Sequence, residues 1–491
     1  MRCRQVLLAF VGLMAFTASS FGTGRPADVA QFWMGEILLP NAACPRMQFI
    51  VKLRSDADGA WSGFLSIPRG CGAHGALDVP LKEIEVTATR VAFTTIPPTE
   101  NAYSATAPKD GGGAWTGQVL VNRQQGVEIR MWRVTEEEAR QAAPRRPQLP
   151  TGEPPYDVRE VAVPAPTGTD ANSMLSGTLS VPQGTGPFVS VVLVGDAEAD
   201  DRDHTEGTHK PFLVLADRLT RAGFAVLRCD DRGVGDSHGS MNDATLEDAS
   251  RDVVAQVAFL RTLKEIDGSR IGLLGRGEGA HICAKAAGEG ASDVAFLVML
   301  APGGQRGVGQ ACTREEWRLR SVGEDPTYIS GHVDRLRQIL ELAATGDEHA
   351  QLDNALQEDV RTYVSSRRGM GLDLNRDQVS MWAASRREFF ERARFRSWLA
   401  ADPTEAYRKV ACPVLVLGGE LDLESPVEVE LPLVRAALKG NPRVTVKVLP
   451  RTNHAMQPCV TGFADEADLI ETTFSEPAIA EILEFLRKVG E

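Results

Sequence analysis

A chain of 491 residues, 43% hydrophobic and 24% charged, has the composition of a folded soluble protein and exceeds one ordinary core, so two or three domains are expected. Its formal net charge of −13 argues against a nucleic-acid or anionic-membrane partner.

Residues 1–20 read as a secretory leader. Arg2 and Arg4 precede the apolar run Val6 to Phe16, and small residues follow at Thr17–Ser20. The run is shorter than a membrane span, and no later stretch is long and apolar enough to cross a bilayer. The mature chain is therefore expected outside the cytoplasm, secreted or periplasmic. Cys3 falls in the leader, which leaves seven of the eight cysteines. Cys44 and Cys71 could pair in an oxidising compartment, whereas Cys229, Cys283 and Cys412 sit in apolar contexts and read as small buried hydrophobes. No Cys-x-x-Cys or Cys/His spacing suggests zinc, and neither a metal nor another cofactor is expected.

From 28 to 134 the pattern is β. Met47, Phe49, Val51 and Leu53 alternate, a Ser-Asp-Ala-Asp-Gly turn follows, and Trp61, Gly63, Leu65 and Ile67 alternate again. Trp115 to Val121 and Val127 to Met131 repeat the pattern. A weak echo, Trp33-Met-Gly, Trp61-Ser-Gly and Trp115-Thr-Gly, admits either a ligand-binding barrel or a small sandwich with tryptophans in its core; the sandwich is the preferred expectation. Residues 135–155 form a linker. From Gln141 it carries Pro144, Pro147, Pro150, Pro154 and Pro155 and lacks any hydrophobic period, which predicts an extended spacer.

Over 156–491 apolar strands alternate with amphipathic helices. Strands are predicted at Ser190–Val194, Phe224–Cys229, Ile271–Leu274, Val294–Leu300, Pro413–Leu417 and Val444–Val448. Helices are predicted at Pro211–Gly223, Leu246–Leu263 and Glu476–Lys488. Near-continuous apolar strands of this kind indicate a parallel sheet covered on both faces. From about 304 to 401 the alternation gives way to charged helical sequence after the sixth strand: Glu315–Arg320, His332–Ala344, Gln351–Ser365 and Asp377–Leu399. That insertion reads as a lid.

Within this region Ser269 to Ile282 runs as a strand, a Gly-rich turn and a helix. Gly275 and Gly279 stand where the glycines of a Gly-x-Ser-x-Gly nucleophile elbow belong, but the central position is Gly277. With Cys229-Asp-Asp-Arg-Gly-Val-Gly-Asp-Ser237, Pro413-Val-Leu-Val-Leu-Gly-Gly-Glu-Leu-Asp422 and Leu449-Pro-Arg-Thr-Asn-His454, this frame resembles the α/β-hydrolase superfamily. The likeness is to the serine aminopeptidase-like and acyl-esterase branch, which often carries an N-terminal β domain. It implies a doubly wound, mostly parallel sheet with a helical cap, preceded by a small all-β domain. It further implies Asp422 as the acid that orients His454, His454 as general base, and the Glu278 N–H as one oxyanion donor. The second donor should come from the loop after Val194. Relatives read like Gly-Ser-Gly-Pro there, and this chain has Gly195-Asp196-Ala-Glu198.

Carboxylates at that loop would oppose transition-state charge if they faced the site. The acidic run from Asp196 to Asp203 is expected to be a solvated loop rather than a cation site. Cys283, nearly two helical turns beyond Gly277, is expected to be out of reach, and Ser237 belongs to another loop. Loss of the nucleophile from such a triad costs on the order of 10⁶ in turnover. The leading expectation is a pseudoenzyme that binds a small ester, peptide or lipid-like ligand. The alternative is a hydrolase using His454-activated water or an unrecognised nucleophile. No protein partner can be read.

Overall fold

The computed structural model describes residues 29–490 except 39–45, 57–59, 70–75, 96–100, 109–112, 122–124, 143–144, 166–171, 197–199, 241, 290–292, 347–348, 368–375 and 468–469. The expected leader and the possible Cys44–Cys71 pair lie outside the described residues. Contacts divide the chain into two units. One holds the chain up to Pro147 with Glu206–His209 and Phe463–Thr472; the other holds Gln148–Thr205, Lys210–Gly462 and Thr473–Glu491.

The first unit is a closed eight-stranded antiparallel barrel: β1 (Val29–Leu38), β2 (Arg46–Ser55), β3 (Trp61–Arg69), β4 (Ala76–Val86), β5 (Arg90–Thr95), β6 (Ala102–Thr106), β7 (Trp115–Val121) and β8 (Gln125–Val134). The expected sandwich is thus corrected to a barrel. The cause is visible at β1, where Trp33 pairs with Val51 of β2 and with Arg133 of β8, so the sheet closes and leaves no edge. Alternation sends Trp33, Phe49, Val51, Leu53, Phe93, Tyr103 and Val119 inward. Trp33 does fill the core, fully buried and edge-on to Trp115 at 4.8 Å. The spacer is also not wholly extended. Glu136–Ala142 is helical, opened by a reciprocal cap in which the Thr135 amide donates to Glu138 and the Glu138 amide to Thr135 Oγ1.

The second unit is an eight-stranded sheet in the order β16-β15-β14-β13-β11-β12-β10-β9. Its strands are β9 (Asp157–Pro164), β10 (Met174–Val181), β11 (Phe188–Val194), β12 (Ala225–Cys229), β13 (Ile266–Arg276), β14 (Leu297–Leu300), β15 (Val414–Gly419) and β16 (Val444–Leu449). β9 and β10 pair antiparallel, β10 also pairs antiparallel with β12, and from β11 onward neighbours are parallel. Period-two alternation explains the double winding. On β15, Val414 and Val416 join the helices Leu246–Arg261 and Glu278–Glu289, while Leu415 and Leu417 join Pro211–Arg221 and Glu476–Gly490 on the other face. After β14 come the cap helices Gly307–Ser321, Pro326–Thr345, His349–Arg367, Arg376–Phe390 and Ala393–Ala400, with a core of their own. The single helix expected over Asp377–Leu399 is two, because Arg392 takes an extended backbone (φ −59°, ψ 131°) between them. Among the described residues no helix is long and apolar enough to cross a membrane.

Candidate active site

The turn after β13 is tight for a stated reason. A Cβ on Gly275 would lie 2.2 Å from the Gly279 carbonyl oxygen, and one on Gly279 would lie 2.2 Å from that of Gly195. Strand, helix and the β11 loop therefore meet backbone to backbone, and only glycine fits at both positions. Gly277, between them, holds φ +53°, the left-handed conformation of a sharp strand-to-helix turn. Its amide donates to Leu300 O at 2.9 Å, which ties the turn to β14.

The decisive feature is what occupies the space beside Gly277. A Cβ built there would lie 2.3 Å from Asp196 Oδ2, 2.4 Å from Oδ1 and 2.5 Å from Cγ. The Asp196 carboxylate thus fills the volume that a side chain at 277 would take. Asp196 Oδ1 accepts the Glu278 backbone N–H at 2.9 Å, and Oδ2 lies 3.2 Å from His454 Nε2. The amide that the resemblance assigned to an oxyanion is engaged by the protein's own carboxylate.

His454 is held from its other side as well. Nδ1 lies 2.9 Å from Asp422 Oδ2 and 3.1 Å from Oδ1. Asp422 follows β15, is buried, and is fixed by the amides of Glu424 and Ser425, which donate to Oδ1 at 2.9 and 2.7 Å. Burial opposes charge on His454. The Asp422 and Glu424 carboxylates and the bonds to Asp196 and Asp422 nevertheless push its pKa well above the ordinary value. For Asp196, burial opposes ionisation, but the hydrogen bond and charge of His454, the charge of Arg276 and the Glu278 amide hold the carboxyl far below the usual range. The His454 imidazole thus lies between two carboxylates, an arrangement that favours its protonated form.

Beyond it lies a second buried ion pair. Arg394, from the cap helix Ala393–Ala400, pairs with the Glu278 carboxylate. Burial still pushes that carboxyl up to about 7, with Asp196 and Asp200 adding to the rise against Arg394. Asp231 is likewise raised to about 7, by burial and then by Asp200.

The acidic run is not the solvated loop that was expected. Asp200 is buried and pairs with His204 Nδ1 at 2.6 Å. Asp201 accepts the amides of Asp203 and Thr205, and Asp203 pairs with Arg228 and Lys210. Each charge is a local fastener, and Glu198 lies outside the described residues. Among the described residues no cluster of His, Cys, Asp or Glu is arranged to hold a metal ion.

The other nucleophile candidates are accounted for. Cys283 is fully buried among core residues, and burial drives its thiol pKa upward. The Ser237 hydroxyl donates to Asp230 O at 2.9 Å and accepts the Ser176 amide at 2.9 Å, which staples the turn after β12 to β10. Sequence reasoning missed two contacts. Nothing local in the sequence gives the direction of the Asp196 side chain, and the register that brings Arg394 to Glu278 depends on cap packing.

The profile of the Alpha/beta hydrolase family matches residues 204–466. A curated relative, Esterase EstD of Thermotoga maritima, is 31% identical over 128 residues, which is 26% of this chain. The chain spans 30% of that relative's length. Among solved structures, the Pyrococcus furiosus esterase Pf2001 is 16% identical at a TM-score of 0.42, covering 71% of this chain and 98% of that one. A 2,6-dihydroxy-pseudo-oxynicotine hydrolase is 19% identical at a TM-score of 0.39, covering 69% of this chain and 68% of that one.

Proposed function

Because this chain belongs to the alpha/beta hydrolase family, whose match covers more than half of it, we propose that it is an esterase-like protein that has lost acyl-enzyme turnover. The carrying observation is the Asp196 carboxylate in contact distance of a Cβ at Gly277, bonded to the Glu278 amide and to His454 Nε2. Three requirements of serine acyl transfer fail together. Position 277 offers no hydroxyl, the Glu278 amide is already engaged by Asp196, and the carboxylates that raise the His454 pKa bias it against accepting a proton. The same contacts speak against the simple water route, because Asp196 occupies the Nε2 side of the imidazole that would activate water. A small ester, peptide or lipid-like molecule remains the class of ligand that such a cleft and cap would hold, bound rather than acylated. The reading includes export through residues 1–20, on the strength of the Arg2, Arg4 and Val6-to-Phe16 pattern.

The test is hydrolysis of p-nitrophenyl acetate and short aminoacyl esters by wild type and by the Asp196→Ala/Gly277→Ser pair of changes. Wild-type rates at solvent background, with the highest turnover in the double variant, fit the reading. A wild type that matches the double variant overturns it.

A further inference from the structure

We propose that the chain binds a phosphate monoester with a short apolar body in a second pocket, formed between the cap helices and the helices that cover the sheet. This goes beyond the loss of acyl turnover and does not rest on it. The pocket holds about 470 Å³, within the range of small-molecule sites. Among the described residues it shares no wall with the cavity that Asp196, Asp231 and Arg394 line.

Four elements make its walls. The cap gives Arg306 and Val308, at the start of helix Gly307–Ser321, and Arg337 and Glu341, about one turn apart on helix Pro326–Thr345. The sheet's cover gives Asp402 and Arg408, at the two ends of helix Pro403–Tyr407, and Leu433 and Ala436 of helix Val427–Ala437. These walls are already fastened to one another. The buried Glu430 carboxylate accepts the Gly304 and Gln305 amides at 2.6 and 2.9 Å, and Tyr407 Oη donates to Gly303 O at 2.8 Å. A pocket set in this way loses little freedom when it fills.

Charge selects the head of the ligand. Arg306 is answered by Glu341 at 3.6 Å. Asp402 Oδ1 is occupied as a helix cap, accepting the Thr404 amide at 2.9 Å and the Thr404 hydroxyl at 2.7 Å. Arg337 and Arg408 remain. Neither guanidinium has an ion-pair or hydrogen-bond partner among the described residues, in a chain whose net charge is −13. One guanidinium fork fills a planar carboxylate, whereas two forks from separate elements call for an acceptor with several faces. A phosphate monoester presents three strong acceptor oxygens and nearly two negative charges at neutral pH, which suits both.

The apolar wall selects the body. Leu433 is 40% exposed and lines the pocket with Val308 and Ala436, so an alkyl group there leaves water where a polyol would not. Because the two arginines belong to the cap and to the sheet's cover, a phosphate held by both joins one to the other, and occupancy stabilises the folded chain.

The experiment titrates full-length protein with hexyl phosphate by calorimetry, and with inorganic phosphate, glycerol phosphate and hexanoate in parallel. One hexyl phosphate per chain, bound at least about tenfold more tightly than each of the other three, supports the proposal. Arg337→Gln and Arg408→Gln, both at exposed positions, should each weaken binding by about tenfold or more, since each removes a charge-assisted bond. Ala436→Trp, also at an exposed position, keeps both arginines and closes the pocket to the tail, so hexyl phosphate should then bind no better than inorganic phosphate. Absence of hexyl phosphate binding by wild type overturns the proposal. So does binding that survives both arginine changes, or hexanoate bound as tightly as hexyl phosphate. Loss of binding in Asp196→Ala, with the arginine variants unaffected, would move the ligand to the other site and overturns it equally.

Discussion

Restoring a side chain at 277 tests the site's central contact in two backgrounds. In Gly277→Ser alone, the new Cβ must sit where the Asp196 carboxylate lies 2.3–2.5 Å away, closer than real Cβ contacts allow. The backbone at φ +53° adds about 1–2 kcal/mol of strain for an L-residue. Expelling Asp196 forfeits two hydrogen bonds made by its charged carboxylate, at about 1.5–3 kcal/mol each. In an Asp196→Ala background those bonds are already gone, so the same serine meets only the strain. A double-mutant cycle by urea unfolding should therefore give a coupling of at least about 2 kcal/mol. Esterase rates should order as wild type below Gly277→Ser below the double variant. Equal serine penalties in both backgrounds, or a single variant as active as the double, would refute the reasoning.

Three further outcomes follow from the same contacts. ¹⁵N spectra should show both His454 ring nitrogens protonated well above pH 6.5, and Asp196→Asn should lower that titration; a neutral ring at pH 7 contradicts the assignment. Because the folded pKa is raised, the stabilisation from His454 is complete below about 6.5, its unfolded value, and is lost as pH climbs through the folded one. The stability gap between wild type and His454→Gln, measured in urea from pH 6 to 10, should therefore shrink, and a constant gap would count against it. Arg394→Met leaves the Glu278 carboxylate buried without its cation and should cost roughly 3–5 kcal/mol at pH 8, less at pH 5, where Glu278 is protonated; a pH-independent loss below 1 kcal/mol would show the pair to be idle.

Much of the second unit was legible because its signals are local. Short uninterrupted apolar runs rich in β-branched residues, such as Val414–Leu417, read as strands buried on both faces, and Gly275 and Gly279 betray a turn where backbones touch. The antiparallel strands β9, at the sheet's edge, and β10 beside it were not read individually; β9 is mostly exposed, and Val158, Val161 and Val163 form no long apolar run. Barrel closure was out of reach for a different reason. Sandwich and barrel share the same period-two pattern and differ only in whether β1 pairs with β8. At the site, the departure at Gly195-Asp196 was visible as a sequence oddity. Its meaning required knowing that the Asp196 side chain crosses to Gly277, and a one-dimensional pattern carries no side-chain direction.

Fluorophosphonate labelling interrogates the vacated position most directly, since the probe reacts only with a nucleophile activated beside a free oxyanion amide. Wild type should remain unlabelled, and Asp196→Ala/Gly277→Ser should take one label at position 277. Labelling of wild type at any residue of this cleft, or a double variant that stays inert while folded, would contradict the account.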